Sequence, residues 1–361
     1  MTKPKSLLIL FILVLPLFAF PQETRVVDFS KADTVAMHIK YDGDISHLTK
    51  ELTDPFPEKI LKVRAIFRWI TDNIAYDNKF YNKYYYKGKE PKTFSCSGDS
   101  LGCAIKKEVW ETRYINNVLD DKKGVCQGYS MLFKKMCNLA GIEAEVIPGY
   151  VRTEDYEIGN MGNLDHAWNA FKIDFYYYLV DATWAAGGCA KDDDEKLLPF
   201  NKHFNDYYWL TPPDDFARNH FPEEPKWVLI SHYTKENFKL NPYYAGDEIG
   251  KIKLITPASG MITVKKGDTI HFNLTYAGNF RDLQINTNVF RNPDIWYFEE
   301  IKHKKERKLD TAAVKKQRYV KYNRNGNNYK FDYIVNDNSL YYLEVLFDTK
   351  RAMRFKVSVR R

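Results

Sequence analysis

The chain has 361 residues, of which 44% are hydrophobic and 16% aromatic; that is enough for two domains with sizeable cores, and it excludes wholesale disorder. The net charge of +7 is unevenly placed, since residues 299–361 hold 17 Lys and Arg against 8 Asp and Glu. The remainder is close to neutral. The basic C-terminal part is a candidate to touch an anionic surface polymer, with a solvated β surface as the plainer reading; no nucleic-acid partner is expected.

In chain order, Lys3 and Lys5 precede a run from Ser6 to Phe20 without charge. A basic start followed by a short apolar stretch is the layout of a secretory signal, and the stretch is short for a membrane span. Residues 1–22 are therefore read as a signal peptide, which implies a periplasmic, cell-surface or secreted protein with no transmembrane span after its removal. Residues 23–54 are a lead-in. Residues 58–76 read as a helix, because Ile60, Val63, Phe67, Ile70 and Ile74 recur at spacings of three and four behind Pro55 and Pro57. Residues 79–103 read as a polar, aromatic loop around Tyr84, Tyr85 and Tyr86. It is either a binding loop beside a site or an insertion packed by its rings.

A second helix is expected over residues 125–140, between Gly124 and Gly141. Cys126 then stands in its first turn, where free N–H groups and the helix dipole favour a thiolate and can bind an oxyanion. Gly128 leaves room for a close approach. Residues 143–151, 166–173 and 176–181 read as strands, the last two joined by a tight turn at 173–175. Antiparallel pairing brings the start of one strand beside the end of its partner, so His166 and Asp181 are expected to meet. A link rich in proline and acid follows at 211–225. Beyond it, short strands are expected at 251–255, 261–264, 269–276, 283–290, 295–301, 318–322, 329–335, 340–347 and 353–359, with an Asn325-Gly326 turn; that spacing suggests a β-sandwich.

The other cysteines are Cys96, Cys103, Cys137 and Cys189. With Cys126 as a reactive thiol the rest form an even set, and Cys96 with Cys103 is a candidate local disulfide, although sequence alone fixes no pairing. No C-x2-C pair occurs and the histidines are scattered, so no metal or cofactor is expected. The acidic run at 192–195 reads as a solvated turn. Alone, Cys126 would be a small buried residue, His166 a strand-end histidine and Asp181 a cap. Together they supply a nucleophile, a base and an orienting carboxylate.

Arg64-Ala65-Ile66-Phe67-Arg68-Trp69-Ile70, Gly124-Val125-Cys126-Gln127-Gly128-Tyr129, His166-Ala167-Trp168-Asn169 and Val180-Asp181-Ala182-Thr183-Trp184 resemble the transglutaminase-like superfamily. The closer likeness is to its kyphoscoliosis-peptidase-like and cytokinesis-protein-like branch, which Trp209-Leu210-Thr211-Pro212-Pro213 and His220-Phe221-Pro222 also resemble. The resemblance implies an α+β, papain-related core, taken here as 55–225; the strand spacing beyond it gives an all-β sandwich-like domain at 226–361. It implies Cys126 as nucleophile, His166 as acid/base and Asp181 as orienting carboxylate. Thiol enzymes commonly carry a glutamine or tryptophan oxyanion donor upstream of the cysteine; no glutamine lies just before Cys126, so Gln127, which follows it, and Trp110 are the candidates, and Trp184 is a candidate wall of the site. The function expected is an exported cysteine-dependent amide hydrolase or acyltransferase acting on a protein or peptide through a thioester. The alternative is a non-catalytic surface binding or assembly module on the same scaffold.

Overall fold

The computed structural model of the protein describes residues 27–89, 94–97, 99–301 and 304–360; the expected signal segment lies outside them. Among the described residues no helix is long and apolar enough to cross a membrane. The lead-in forms two helices, α1 (Ser30–His38) and α2 (Ile45–Thr53), and α3 (Lys59–Asn73) follows. Asp44 caps α2 by accepting from the N–H groups of Ser46 and His47. Arg64 in α3 is buried and ties these pieces together. It donates to both carboxylate oxygens of Asp33 in α1, at 2.6 and 2.8 Å, and to Asp206 at 2.5 Å.

The chain then makes a two-residue strand, β1 (Ala75–Tyr76), and a short helix, α4 (Asn78–Lys83). A long helix, α5 (Ser100–Asp121), occupies a stretch that the sequence pattern left without an element, together with part of the expected loop. Its pattern is weak because Ile115, Val118 and Leu119 alone are buried, while Leu101, Ile105 and Val109 face solvent. A disulfide joins Cys96 to Cys103 at its start. After α5, β2 (Lys123–Gly124) pairs in parallel with β1, Tyr76 opposite Gly124. That bridge delivers the chain into α6 (Cys126–Leu139), close to the expected helix.

The expected strands form as β3 (Ala144–Val151), β4 (Leu164–Ile173) and β5 (Tyr176–Val180). Asp174 makes the turn between the last two with φ 54°. Beyond β5 come α7 (Ala182–Ala186) and the small pair β6 (Gly187–Gly188) and β7 (Asn201–Lys202). The stretch expected as a link instead supplies β8 (His220–Pro222), an edge strand antiparallel to β3. The central sheet therefore runs β5-β4-β3-β8. Against it packs one core that includes Val63, Phe67 and Ile70 of α3, Leu132, Phe133 and Met136 of α6, and Ile147 and Phe171 of the sheet. Gly149 in β3 is obligatory there, since a Cβ would stand 2.2 Å from the Trp168 ring and 2.5 Å from the Phe221 carbonyl oxygen.

The C-terminal part consists of β9 (Tyr243–Tyr244), β10 (Ile252–Thr256), β11 (Met261–Lys265), β12 (Thr269–Tyr276), β13 (Leu283–Thr287), β14 (Trp296–Ile301), β15 (Lys304–Leu309), β16 (Tyr322–Asn325), β17 (Asn328–Ile334), β18 (Tyr342–Phe347) and β19 (Lys350–Arg360). One sheet runs β10-β12-β17-β16; the other runs β11-β19-β18-β13, with β9 on β19. Alternate residues of their strands, such as Ile270, Phe272 and Leu274 or Met353, Phe355 and Val357, meet in a common core. The Asn325-Gly326 turn forms, with Gly326 at φ 59°. The strand read at 318–322 instead begins at Tyr322, and β14 finds its partner in the unanticipated β15. Asp155, in the loop after β3, receives Arg351 and Arg354 of β19 at 2.6 and 2.7 Å. The buried Glu344 accepts from both arginines at 3.2 Å.

Candidate active site

Three elements converge at one end of the central sheet. Val125 is extended and forms the boundary before α6, so Cys126 is the first helical residue, half-buried. The first N–H groups of a helix have no carbonyl one turn earlier to bond; here Gly128 donates to the Val125 carbonyl at 2.7 Å, which leaves those of Cys126 and Gln127 beside the thiol. Gly128 does allow a close approach, and the group that approaches is Val118 of α5, whose methyl would lie 3.0 Å from an added Cβ. Tyr129 anchors the helix from behind by donating to the Ile74 carbonyl at 2.6 Å.

His166 is the third residue of β4, opposite Gly149 of β3. The β4–β5 ladder ends at Asn169 opposite Val180. Asp181 then leaves the ladder as the N-cap of α7, with its Oδ1 accepting from the N–H groups of Thr183 and Trp184 at 2.8 and 3.1 Å. That cap turns Oδ2 back toward His166, whose Nε2 lies 2.7 Å away. With Nε2 committed to Asp181, Nδ1 is the ring nitrogen left free, and Cys126 is near enough to act electrostatically on the ring. The sulfur also lies 3.7 Å from the carbonyl oxygen of Asp165. The structure thus brings Cys126, His166 and Asp181 together.

A fourth group, given no role from sequence, is His220. Its Nε2 lies 3.1 Å from the same Oδ2 of Asp181, and its Nδ1 is 2.7 Å from the Asn219 side chain. The one signal that pointed to it was its place in the His-Phe-Pro run. The two histidines are driven apart electrostatically. Burial works against a charged His166, but the Asp181 carboxylate and the Cys126 sulfur outweigh it and hold its pKa up to about 10. Burial, aided by the charge of His166, pushes His220 down to about 4 against the pull of Asp181. Burial also opposes the charge on Asp181, yet both histidines hold its carboxyl well below the usual carboxylate range.

His166, Asp181 and His220 are donor types found in metal sites. Ligands at about 2.0–2.2 Å around a tetrahedral ion lie about 3.3 Å apart. The 2.7 and 3.1 Å separations here fit shared protons better, and the other oxygen of Asp181 is taken by backbone N–H groups.

Trp184 lines the pair of histidines, its ring 5.2 Å from His166 and 4.6 Å from His220. Gln127 lies in the first turn of α6, half-buried, with its carbonyl taken by the Ser130 hydroxyl. Trp110 stacks on Tyr114, at 5.3 Å between centroids, so its ring backs a tyrosine. Tyr76, Tyr85 and Tyr114 are held above the phenol range first by burial and then by the charge of Cys126. Sequence reading placed only the Tyr84–Tyr86 part of this collar. The segment is stitched to the acidic turn through the Tyr86 hydroxyl on the Asp194 carbonyl, 2.8 Å, and the Asn82 amide on the Leu197 carbonyl, also 2.8 Å.

A family model for the transglutaminase-like superfamily matches residues 46–182. The human and mouse proteins named kyphoscoliosis peptidase are each 28% identical to this chain, over 66% and 69% of it and 32% and 34% of their own length. Cytokinesis protein 3 of Schizosaccharomyces pombe is 29% identical over 47% of this chain and 16% of its own. The chain spans about a third or less of the length of these curated relatives. The convergent cysteine, histidine and aspartate all lie within the stretch that matches the transglutaminase-like superfamily.

Proposed function

We propose that this chain is an exported thiol enzyme that cleaves or transfers an amide-linked acyl group of a protein or peptide. The observation that carries the reading is the chain of contacts at one sheet end: a cysteine opening a helix, a histidine beside it, and a buried carboxylate 2.7 Å from that histidine. The Cys126 thiolate attacks the amide carbon, forming a C–S bond while the carbonyl pair moves to oxygen. The N–H groups that open α6 would receive that oxyanion. His166 as imidazolium protonates the departing nitrogen, the C–N bond breaks, and a thioester remains. Water then attacks, His166 takes its proton, and the sulfur leaves as thiolate. An amine in place of water would give transfer. Hydrolysis is favoured, because water is always available; the name peptidase on the human relative supports it. Trp184 would wall the acyl side of the cleft.

Export is supported by the Cys96–Cys103 disulfide, a bond that persists in oxidising compartments. N-terminal sequencing of protein recovered outside the cytoplasm tests it.

The test of the chemistry is iodoacetamide labelling of Cys126 against pH, located by peptide mass mapping, in wild type and His166→Ala. Fast labelling well below about pH 8.5 in the wild type only is the expected result. Slow labelling, alike in both proteins, would overturn the proposal and favour the non-catalytic binding module.

A further inference from the structure

We propose that His220 is a positioning residue, whose Nε2–H holds the Asp181 carboxylate in the orientation that aims His166 at Cys126. The inference rests on the thiol-enzyme reading above and extends it to a group behind the carboxylate.

His220 is 1% exposed and comes from the edge strand β8, where it sits opposite Val151. Aromatic rings enclose it: Phe216 at 4.1 Å, Trp184 at 4.6 Å, Trp168 at 5.0 Å and Tyr208 at 5.9 Å between centroids. Such a box would accept a phenylalanine with no polar group to desolvate. What a histidine adds is a pair of ring nitrogens, and both are used.

The hydrogen-bond roles follow from one another. Oδ2 of Asp181 is an acceptor, so His220 carries its proton on Nε2, 3.1 Å away. The structure has Oδ1 of Asn219 2.7 Å from Nδ1; a neutral ring has a lone pair there, so it calls for the amide nitrogen at that position instead. The amide's nitrogen and oxygen exchange places by a half-turn. In that orientation its oxygen accepts from Tyr208, whose hydroxyl is 3.4 Å from the Asn219 amide. The result is a one-way relay: Tyr208 to Asn219, Asn219 to His220, His220 to Asp181.

Asp181 then receives four donors, two imidazoles on Oδ2 and two backbone N–H groups on Oδ1. The carboxylate has no free rotation left. Because burial keeps His220 neutral at physiological pH, it fixes Asp181 without adding a second cation that would repel charged His166. The other titratable groups facing this trio are Cys126 on α6, Asp165 on β4, Tyr129 on α6 and Tyr208.

The experiment compares His220→Gln with His220→Phe in the full chain, using iodoacetamide labelling of Cys126 against pH. Glutamine keeps an N–H near the Nε2 position; phenylalanine keeps the ring that fills the box. The positioning role predicts that His220→Gln stays within about fivefold of wild type at pH 6.5. His220→Phe should lose about tenfold or more, with its labelling midpoint moved toward the ordinary thiol range. A purely packing role predicts the reverse ranking, and equal profiles would also overturn the proposal. Thermal melts of both variants identify a rate lost to unfolding; if His220→Phe does not fold, a fall in His220→Gln to the His166→Ala rate would still overturn it. An inert thiol in the wild type would defeat the thiol-enzyme reading, and the role of His220 would fall with it.

Discussion

The replacement Asp181→Asn isolates the electrostatics of the site, because it changes one atom type in a side chain whose every contact is defined. Oδ1 accepts two backbone N–H groups and Oδ2 accepts two imidazoles. An amide has one acceptor and one donor end. Whichever way it points, an NH2 group confronts donors. Each buried polar group left unpaired costs about 1–3 kcal/mol, so a loss of roughly 2–5 kcal/mol is expected near neutral pH. The loss also has a pH signature. His166 has its pKa raised to about 10 in the fold against about 6.5 in an unfolded chain. The stability it contributes is fully present below pH 6.5 and is lost as pH rises through 10. At about 1.4 kcal/mol per unit, the upper bound on that contribution is about 5 kcal/mol, and only part of it will be realised in a coupled buried cluster. Without the carboxylate, His166 has no reason to stay charged. Urea unfolding of wild type and Asp181→Asn, followed by tryptophan emission at intervals from pH 6 to 10, should give curves that converge as pH rises. Parallel curves across that window would refute the claim that Asp181 holds a cationic His166.

Other substitutions probe separate parts of the argument. Cys126→Ser should abolish any thioester trapped from an activated ester and detected by intact mass; full turnover in that variant would defeat the proposed chemistry. Gly149→Ala places a methyl 2.2 Å from the Trp168 ring and 2.5 Å from a backbone oxygen, so a loss of at least about 3 kcal/mol or failure to fold is expected, read from urea unfolding and soluble yield. Arg64→Ala strips the partner from Asp33 and Asp206. Breaking a buried pair costs about 3–5 kcal/mol, and the lower end applies because Asp206 is largely exposed; a midpoint unchanged in urea would show that the pair contributes little.

What could be read from sequence, and what could not, divides along the range of the interactions. His166 meeting Asp181 was legible because a hairpin places them by local pairing, even though the final contact is made by a capping side chain one residue past the ladder. The helix that opens on Cys126 was legible from Gly124 and its apolar periodicity. α5 was missed because Leu101, Ile105 and Val109 point outward and blur the stripe that reveals an amphipathic helix. The His-Phe-Pro run by itself gives His220 no role, since its meeting with Asp181 depends on β8 pairing with β3, far along the chain. The same long-range pairing turned an expected linker, proline-rich and acidic, into a sheet edge. Trp110 and Gln127 are of the residue types that serve thiol enzymes as oxyanion donors; the structure puts one behind Tyr114 and the other in the first turn of the cysteine helix.

The short parallel bridge between Ala75-Tyr76 and Lys123-Gly124 has a consequence for how such a protein can change. Residues 77–122 leave that bridge and return to it, and they carry α4, the tyrosine segment and α5. Closing a flexible excursion costs entropy only logarithmically, about 0.6 kcal/mol for each doubling in length. The setting of Cys126 is fixed by the two ends of the excursion and by the buried Ile115, Val118 and Leu119 of α5, which share a core with α6, not by the rest of its contents. Descendants of this chain can therefore lengthen, shorten or rewrite the surroundings of the thiol, and with them the shape of what reaches it, while the nucleophile keeps its place.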